Sequence, residues 1–405
     1  MTTLGSLRAL PHSLSMSGAV LLLGLSTSLA GPYIPLFGSE LAHMSPLTLG
    51  IFMSLLAVSS IGVSLYMGRV SDRLASRKPV VLLAVVAAVL GYVLLTTTTN
   101  YLALCLICVL FLGTGAASFP QLFAFARSQL GGVAPKTAEH GLTTLRSVFS
   151  LAWVVGPGVG ALVVSGLGFR GLFLVTALLY ALAGVVVLSS GRGSSKRATA
   201  PVQAAVKVSG PPPPLALIVT SFVLYGASLS MGGIALPLYV TQVLHGSTGD
   251  VGLLIGLCAL LEIPVMLSFV FLPRRFSNQT LIIFAFGLFV LYFALIWLAH
   301  GLPLLLLAQA IRAVVIGIAA SLGMAYFHDL LPGRVGVATT LFVNTTSAGS
   351  MVAGLVSGAF AQAFGYRSVF LLCAALTVAA WALLLFVGRR QRRKVKAFAA
   401  EGRTD

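Results

Sequence analysis

Acidic side chains are nearly missing from this chain. Eight Asp and Glu are spread over 405 residues, and charged residues of every kind make up 8% of it. The surface of a water-soluble domain carries several times that density of charge, so an ordinary soluble domain is excluded. Cysteine is scarce as well. Cys105, Cys108, Cys258 and Cys373 all lie inside apolar runs. The first two have CxxC spacing, but no histidine stands near them, and cysteine in such a run is an ordinary buried residue. Neither a disulfide framework nor a metal site is expected. Walker A, zinc and catalytic-triad patterns are also lacking. No catalytic residue is assigned, and the chain is not read as an enzyme.

What fills the chain instead is apolar. Hydrophobic residues make up 58% of it, and the mean hydropathy is +1.04. Runs of about 18 apolar residues or more recur, each long enough to cross a bilayer as a helix. Strands of a transmembrane barrel would alternate polar and apolar residues instead. The first run follows a single arginine, Arg8, and no clear small-residue cleavage site comes after it. It reads as the first of many spans rather than as a signal peptide. Twelve spans are expected, near 14–37, 47–67, 79–96, 101–128, 141–166, 170–190, 214–240, 250–272, 279–298, 302–326, 336–361 and 368–388. The widest gap, 191–213, is basic and rich in Pro and Gly. It reads as a linker between two six-helix bundles, 1–190 and 214–388, with a basic tail at 389–405.

The net charge of +17 invites a nucleic-acid reading. The positions of the cations argue against it, because they fall in the gaps between spans. An even number of spans puts both termini on one side. All Lys and Arg except Arg170, Arg312 and Arg367 then lie on that side or at its helix ends. Positive charge marks the cytoplasmic side, so both termini are expected there. The tail from Arg389 to Lys396 is suited to anionic lipid rather than to nucleic acid.

The two halves repeat. At an offset of 202 residues, Gly31 meets Gly233, Pro35 meets Pro237, Gly50 meets Gly252, Ile61 meets Ile263 and Arg73 meets Arg275. At an offset of 197, "GFRGLF" from Gly168 meets "GYRSVF" from Gly365. A duplicated polytopic protein points to a transporter with its substrate site between the repeats. Spans three, six, nine and twelve are almost purely apolar and are expected to face lipid. The deep polar residues lie elsewhere: Gln121, Arg146, Glu262, Gln309, Arg312 and Asn344.

Two stretches resemble signatures of the major facilitator superfamily. "GRVSDRLASRK" from Gly68 resembles its loop motif G-x-x-x-D-R-x-x-x-R-K. Gly68 would allow close helix approach. Asp72, next to Arg73, would accept from a facing helix end or pair with a cation such as Arg127, latching the cytoplasmic side. The plainer reading is a charged turn that fixes topology. In the second copy Arg274 stands where Asp72 would fall, so that latch is expected to be missing. "AWVVGPGVGA" from Ala152 resembles the antiporter motif G-x-x-x-G-P-x-x-G-G, with alanine at both outer positions. Pro157 would bend the helix, and Gly156 and Gly160 would form a close-packing face.

Glu262 is the outlier. It stands in the apolar stretch "CALLEIPVML", and its repeat partner is Ser60. Counting from Asp250 it lies about 18 Å deep, and Arg312, counted from Leu302, about 15 Å. A buried carboxylate alone takes up a proton, whereas one beside an arginine stays charged. Two readings remain open: a carboxylate that binds a proton or a substrate hydroxyl, and a permanent bridge to Arg312. Gln309, three residues before Arg312, shares its helix face. Trp153 and Asn344 would suit a sugar, which has apolar ring faces and polar edges. Core packing is the plain alternative for Trp153. Trp297 and Trp381, on lipid-facing spans, are expected as membrane anchors.

Four further stretches resemble one family more closely. They are "SFPQLFAFAR" from Ser118, "SLAWVVGPGVGAL" from Ser150, "LEIPVML" from Leu261 and "FHDLLPGRVGVATTLFVNTTSAG" from Phe327. They are similar to the bacterial sugar efflux transporter family of the major facilitator superfamily. The resemblance implies an inner-membrane exporter of glucose, lactose or galactoside analogues, exchanging sugar for protons. The proton gradient would be the energy source, with no cofactor and no nucleic-acid partner, and one chain would suffice as a monomer. A multidrug antiporter on the same scaffold and a non-transporting membrane sensor are the alternatives.

Overall fold

A computed structural model of the chain describes residues 13–74, 76–129, 135–190, 214–271 and 276–401. Every secondary-structure element among them is helical. Eleven segments are long and apolar enough to cross a membrane. They are Leu14–Leu41, Pro46–Ser71, Lys78–Leu95, Tyr101–Gln129, Thr144–Ser189, Leu215–Val243, Thr248–Phe269, Asn278–Leu298, Leu302–Leu330, Gly336–Phe364 and Tyr366–Arg390. The fifth is 46 residues long. A continuous helix of that length would run about 69 Å, over twice the roughly 30 Å of a hydrocarbon core. It is broken at Gly168, where φ is 66° and ψ is −174°. It is therefore two spans, 144–167 and 169–189, and the described residues carry the twelve expected from the sequence.

Span ends fall close to their expected positions, with one instructive difference. Span one, expected to stop at 37, continues to Leu41 through a wide turn. There the Ala42 N–H reaches back five residues to the Phe37 carbonyl, at 3.0 Å. Span seven ends in the same wide turn, Tyr239–Val243, at the offset of 202. The helix starts that follow are capped by side chains. The Ser45 hydroxyl accepts the Thr48 N–H at 3.3 Å before Pro46. At span eight, Ser247 and Asp250 each accept the other's N–H, at 3.2 and 2.8 Å.

The chain divides into two compact units, Met1–Ala200 with Leu236–Leu260, and Pro201–Ala235 with Leu261–Asp405. Their limits cross the halves drawn from the sequence, since the end of span seven and the start of span eight group with the first unit. The linker 191–213, together with Arg274 and Arg275, lies outside the described residues.

In the first unit, span five lies along span one. The Ser28 hydroxyl donates to the Ala152 carbonyl at 2.9 Å, and the Tyr33 hydroxyl to the Pro157 carbonyl at 2.5 Å. Span two is tied to span four by Ser59, which donates to the Val109 carbonyl at 2.6 Å. In the second unit, Ser221 on span seven donates to the Ala380 carbonyl of span twelve at 2.7 Å. Phe222, Phe286, Phe289, Phe293 and Phe327 form its buried aromatic core. Spans three, six, nine and twelve expose many large apolar residues, among them Leu83, Leu90, Leu174, Leu182, Phe284, Leu291, Leu371 and Val378. This matches the lipid-facing assignment. Trp381 departs from its expected role. Its ring packs on Gly287 of span nine and its Nε1 is buried, so it joins two helices instead of anchoring at the membrane surface.

Candidate functional site

The second unit brings Glu262, Arg312 and Gln309 together. Span ten reaches span eight through Gly317. A Cβ there would meet the Val265 side chain at 2.7 Å and the Glu262 carbonyl oxygen at 3.6 Å. Only glycine permits that approach without a shift. Glu262 is half-buried, and Arg312 acts on it electrostatically. Arg312 also lies 3.4 Å, by its Nη1, from the Gln309 Oε1. Gln309 is fully buried, and its Nε2 makes no hydrogen bond within the described protein. A buried amide donor without a partner costs stability, and it is suited to a solute's hydroxyl oxygen.

Asn344 on span eleven is exposed. Its neighbours Thr345 and Thr346 donate their hydroxyls to their own helix, to the Phe342 and Val343 carbonyls at 2.6 and 2.9 Å. Span eleven is fixed against span seven at Gly349, where a Cβ would stand 2.4 Å from the Ala227 nitrogen. In the first unit Gln121 is buried, and its Oε1 likewise has no partner within the described protein. Trp153 is half-buried and Arg146 exposed.

The antiporter-like stretch packs as its glycines suggest, and the partner is span one. A Cβ at Gly156 would lie 1.9 Å from the Ser28 Oγ, and one at Gly160 would lie 2.5 Å from the Leu29 carbonyl oxygen. The two outer alanines are matched by glycines opposite them. Gly24 faces Ala152, and Gly252 faces Ala161. The methyl groups therefore fit where the motif usually has glycine. Neither Ser28 nor Tyr33 is singled out by the sequence. Both lie in span one, which carries no motif.

In the loop between spans two and three, Asp72 has a partner other than the expected Arg127. Asp72 is ion-paired with Arg77 of its own loop, not with Arg127, and Arg73 and Arg127 are exposed. A Cβ at Gly68 would meet nothing within 4 Å, so no close helix approach occurs there. The cross-connection is made by Lys78 instead. Its ammonium group donates to the Leu188 and Ser190 carbonyls, both at 2.7 Å, and so closes the C-terminal end of span six. No groups of three or more potential metal ligands occur among the described residues.

Comparison with known proteins places this architecture. The family model of the Major Facilitator Superfamily matches residues 16–302 and 218–404. A protein of Deinococcus radiodurans assigned as a sugar efflux transporter is 48% identical over 387 residues, which is 95% of this chain and 100% of that one. Sugar efflux transporter A of Escherichia coli is 30% identical, covering 89% of this chain and 92% of its own. Sugar efflux transporter B of Salmonella typhimurium is 32% identical, covering 92% and 95%.

The chain belongs to the sugar efflux transporter family of the Major Facilitator Superfamily. It is a multi-pass membrane protein, and its relatives are named as transporters rather than enzymes. Among solved structures, a point mutant of the nucleoside transporter NupG aligns with a TM-score of 0.76 at 15% identity, over 92% of this chain and 99% of that one. A bacterial homologue of the iron transporter ferroportin aligns at 0.70 and 18%, over 96% and 99%. At such identities these two speak for the fold alone. The fold is the major facilitator fold expected from the repeat.

Proposed function

We propose that this chain exports sugars across the bacterial plasma membrane by alternating access between its halves, 1–190 and 214–388, in exchange for protons. The observation that carries the reading is the 48% identity to a transporter assigned to sugar efflux, held over that protein's whole length. Both termini face the cytoplasm, the proton gradient supplies the energy, and one chain is the working unit. Gln121, Trp153, Gln309 and Asn344 line the sugar site. Glu262 and Arg312 couple it to the proton. A proton taken by Glu262 cancels its hold on Arg312, and the guanidinium then joins the Gln309 amide as a donor for sugar hydroxyls. The unpartnered amide groups of Gln121 and Gln309 support this reading.

The test is flux in proteoliposomes. Labelled lactose or glucose should move across the membrane with the purified protein present, and unlabelled sugar should compete. If sugar does not move while a hydrophobic cationic drug does, the substrate is a drug and the reading falls.

A further inference from the structure

The repeat places Arg170 and Arg367 at matching positions, each two residues after a left-handed glycine, Gly168 or Gly365. Arg367 is fully engaged. Its Nε donates to the Trp297 carbonyl at 2.8 Å, at the end of span nine. Its Nη2 lies 3.1 Å from the His300 Nε2, and its guanidinium lies 5.7 Å from the Trp297 ring centroid. At the offset of 202, Leu95 and Thr98 stand where Trp297 and His300 would be. Leucine has no π face to hold a cation, and a threonine hydroxyl is too short to replace the imidazole. Arg170 is exposed and makes no hydrogen bond or ion pair within the described protein. It lines a cavity of about 430 Å³ instead.

That cavity has a definite chemistry. Its walls include Phe37, Phe169 and Phe173, and its polar edge is the run Thr96–Thr99. None of its lining residues is acidic. The Thr99 hydroxyl makes no hydrogen bond within the described protein. Spans three and six, which bound the cavity, expose large apolar side chains along their length, among them Leu83, Leu90, Leu174 and Leu182, so the cavity lies beside lipid. A permanently charged guanidinium fork and a hydroxyl lining one cavity match a phosphate group. Apolar walls at the edge of the hydrocarbon suit the glycerol and upper chain of a phospholipid.

We propose that this cavity is a phospholipid site, with Arg170 on the phosphodiester and Thr99 donating a second bond. The second half has closed the matching position with Trp297 and His300. The shared chemistry, phosphate, could also come from solution, and the experiment separates the two sources.

Purified full-length protein in detergent is titrated with phosphatidylglycerol, and bound lipid is counted by native mass spectrometry. Wild type should retain one lipid that Arg170→Gln binds about tenfold more weakly. Thr99→Val, which keeps the charge, should weaken it less. Arg367→Gln should leave it unchanged. Inorganic phosphate at millimolar concentration should not displace the lipid. Equal retention by wild type and Arg170→Gln overturns the proposal. Displacement by inorganic phosphate overturns the lipid assignment and leaves a soluble-anion site. If Arg170→Gln does not fold, unchanged retention by Thr99→Val overturns the proposed contact.

Discussion

The two halves share a backbone and differ in what they hang on it. Wide helical turns end spans one and seven at matching positions. His43 and His245 follow them with φ of 50° and 53°. Gly168 and Gly365 break the chain alike, at φ of 66° and 80°. Few non-glycine residues adopt a left-handed conformation, so two histidines 202 residues apart that do so mark one inherited turn. The polar groups diverge. Glu262 replaces the serine found at position 60, and it gains Arg312 and Gln309 as companions. The first half keeps the Asp72–Arg77 pair and an unengaged Arg170, whereas the second engages Arg367. Duplication preserved the scaffold, and function is written in the departures from it.

The comparison breaks most readily at the glycines between spans. Span five meets span one at Gly160, and span eleven meets span seven at Gly349. In both, an added Cβ would press on backbone atoms, at 2.5 Å and 2.4 Å. Gly160→Ala and Gly349→Ala should each cost about 3 kcal/mol, read as a lower thermal-unfolding midpoint. Gly158→Ala, with nothing within 4 Å, should change almost nothing. A large loss in one half only would show that close packing is not a shared property.

A smaller effect is expected at the broken turns. A Cβ added at Gly168 or at Gly365 would have no atom within 4 Å. Gly168→Ala and Gly365→Ala therefore differ from wild type by backbone strain alone, about 1–3 kcal/mol each. Equal losses of thermal stability sharpen the equivalence, and a loss at one position alone breaks it.

The smallest effect separates the halves. Arg367→Gln loses the bonds that close span nine and should cost about 1 kcal/mol. Arg170→Gln in lipid-free micelles should cost nothing measurable. Equal losses would mean that Arg170 is also engaged in the fold.

Much of this is legible in the sequence, for physical reasons. Span positions follow from apolar runs, and the repeat follows from Gly and Pro spaced 202 apart. Gly156 and Gly160 announce a close-packed face because small residues at that spacing rarely serve another purpose in a membrane helix. Hydrogen-bond partners are not legible. Asp72 takes Arg77 from its own loop, and Lys78 rather than Asp72 ties the loop to another span. Such choices depend on where helix ends meet, which hydropathy does not record. The inward ring of Trp381 is hidden for a similar reason, since its space is made by Gly287 on a different span. Glu262 stands out by type alone, but its contact with span ten depends on Gly317, a residue with no pattern around it.

In the proposed transport cycle Glu262 couples sugar to protons. Sugar flux in proteoliposomes under an imposed pH gradient, with wild type beside Glu262→Gln, tests it most directly. Wild type should accumulate labelled sugar driven by the gradient, and Glu262→Gln should show only gradient-independent exchange. Equal gradient-driven accumulation by both would contradict it and leave Glu262 as a structural partner of Arg312.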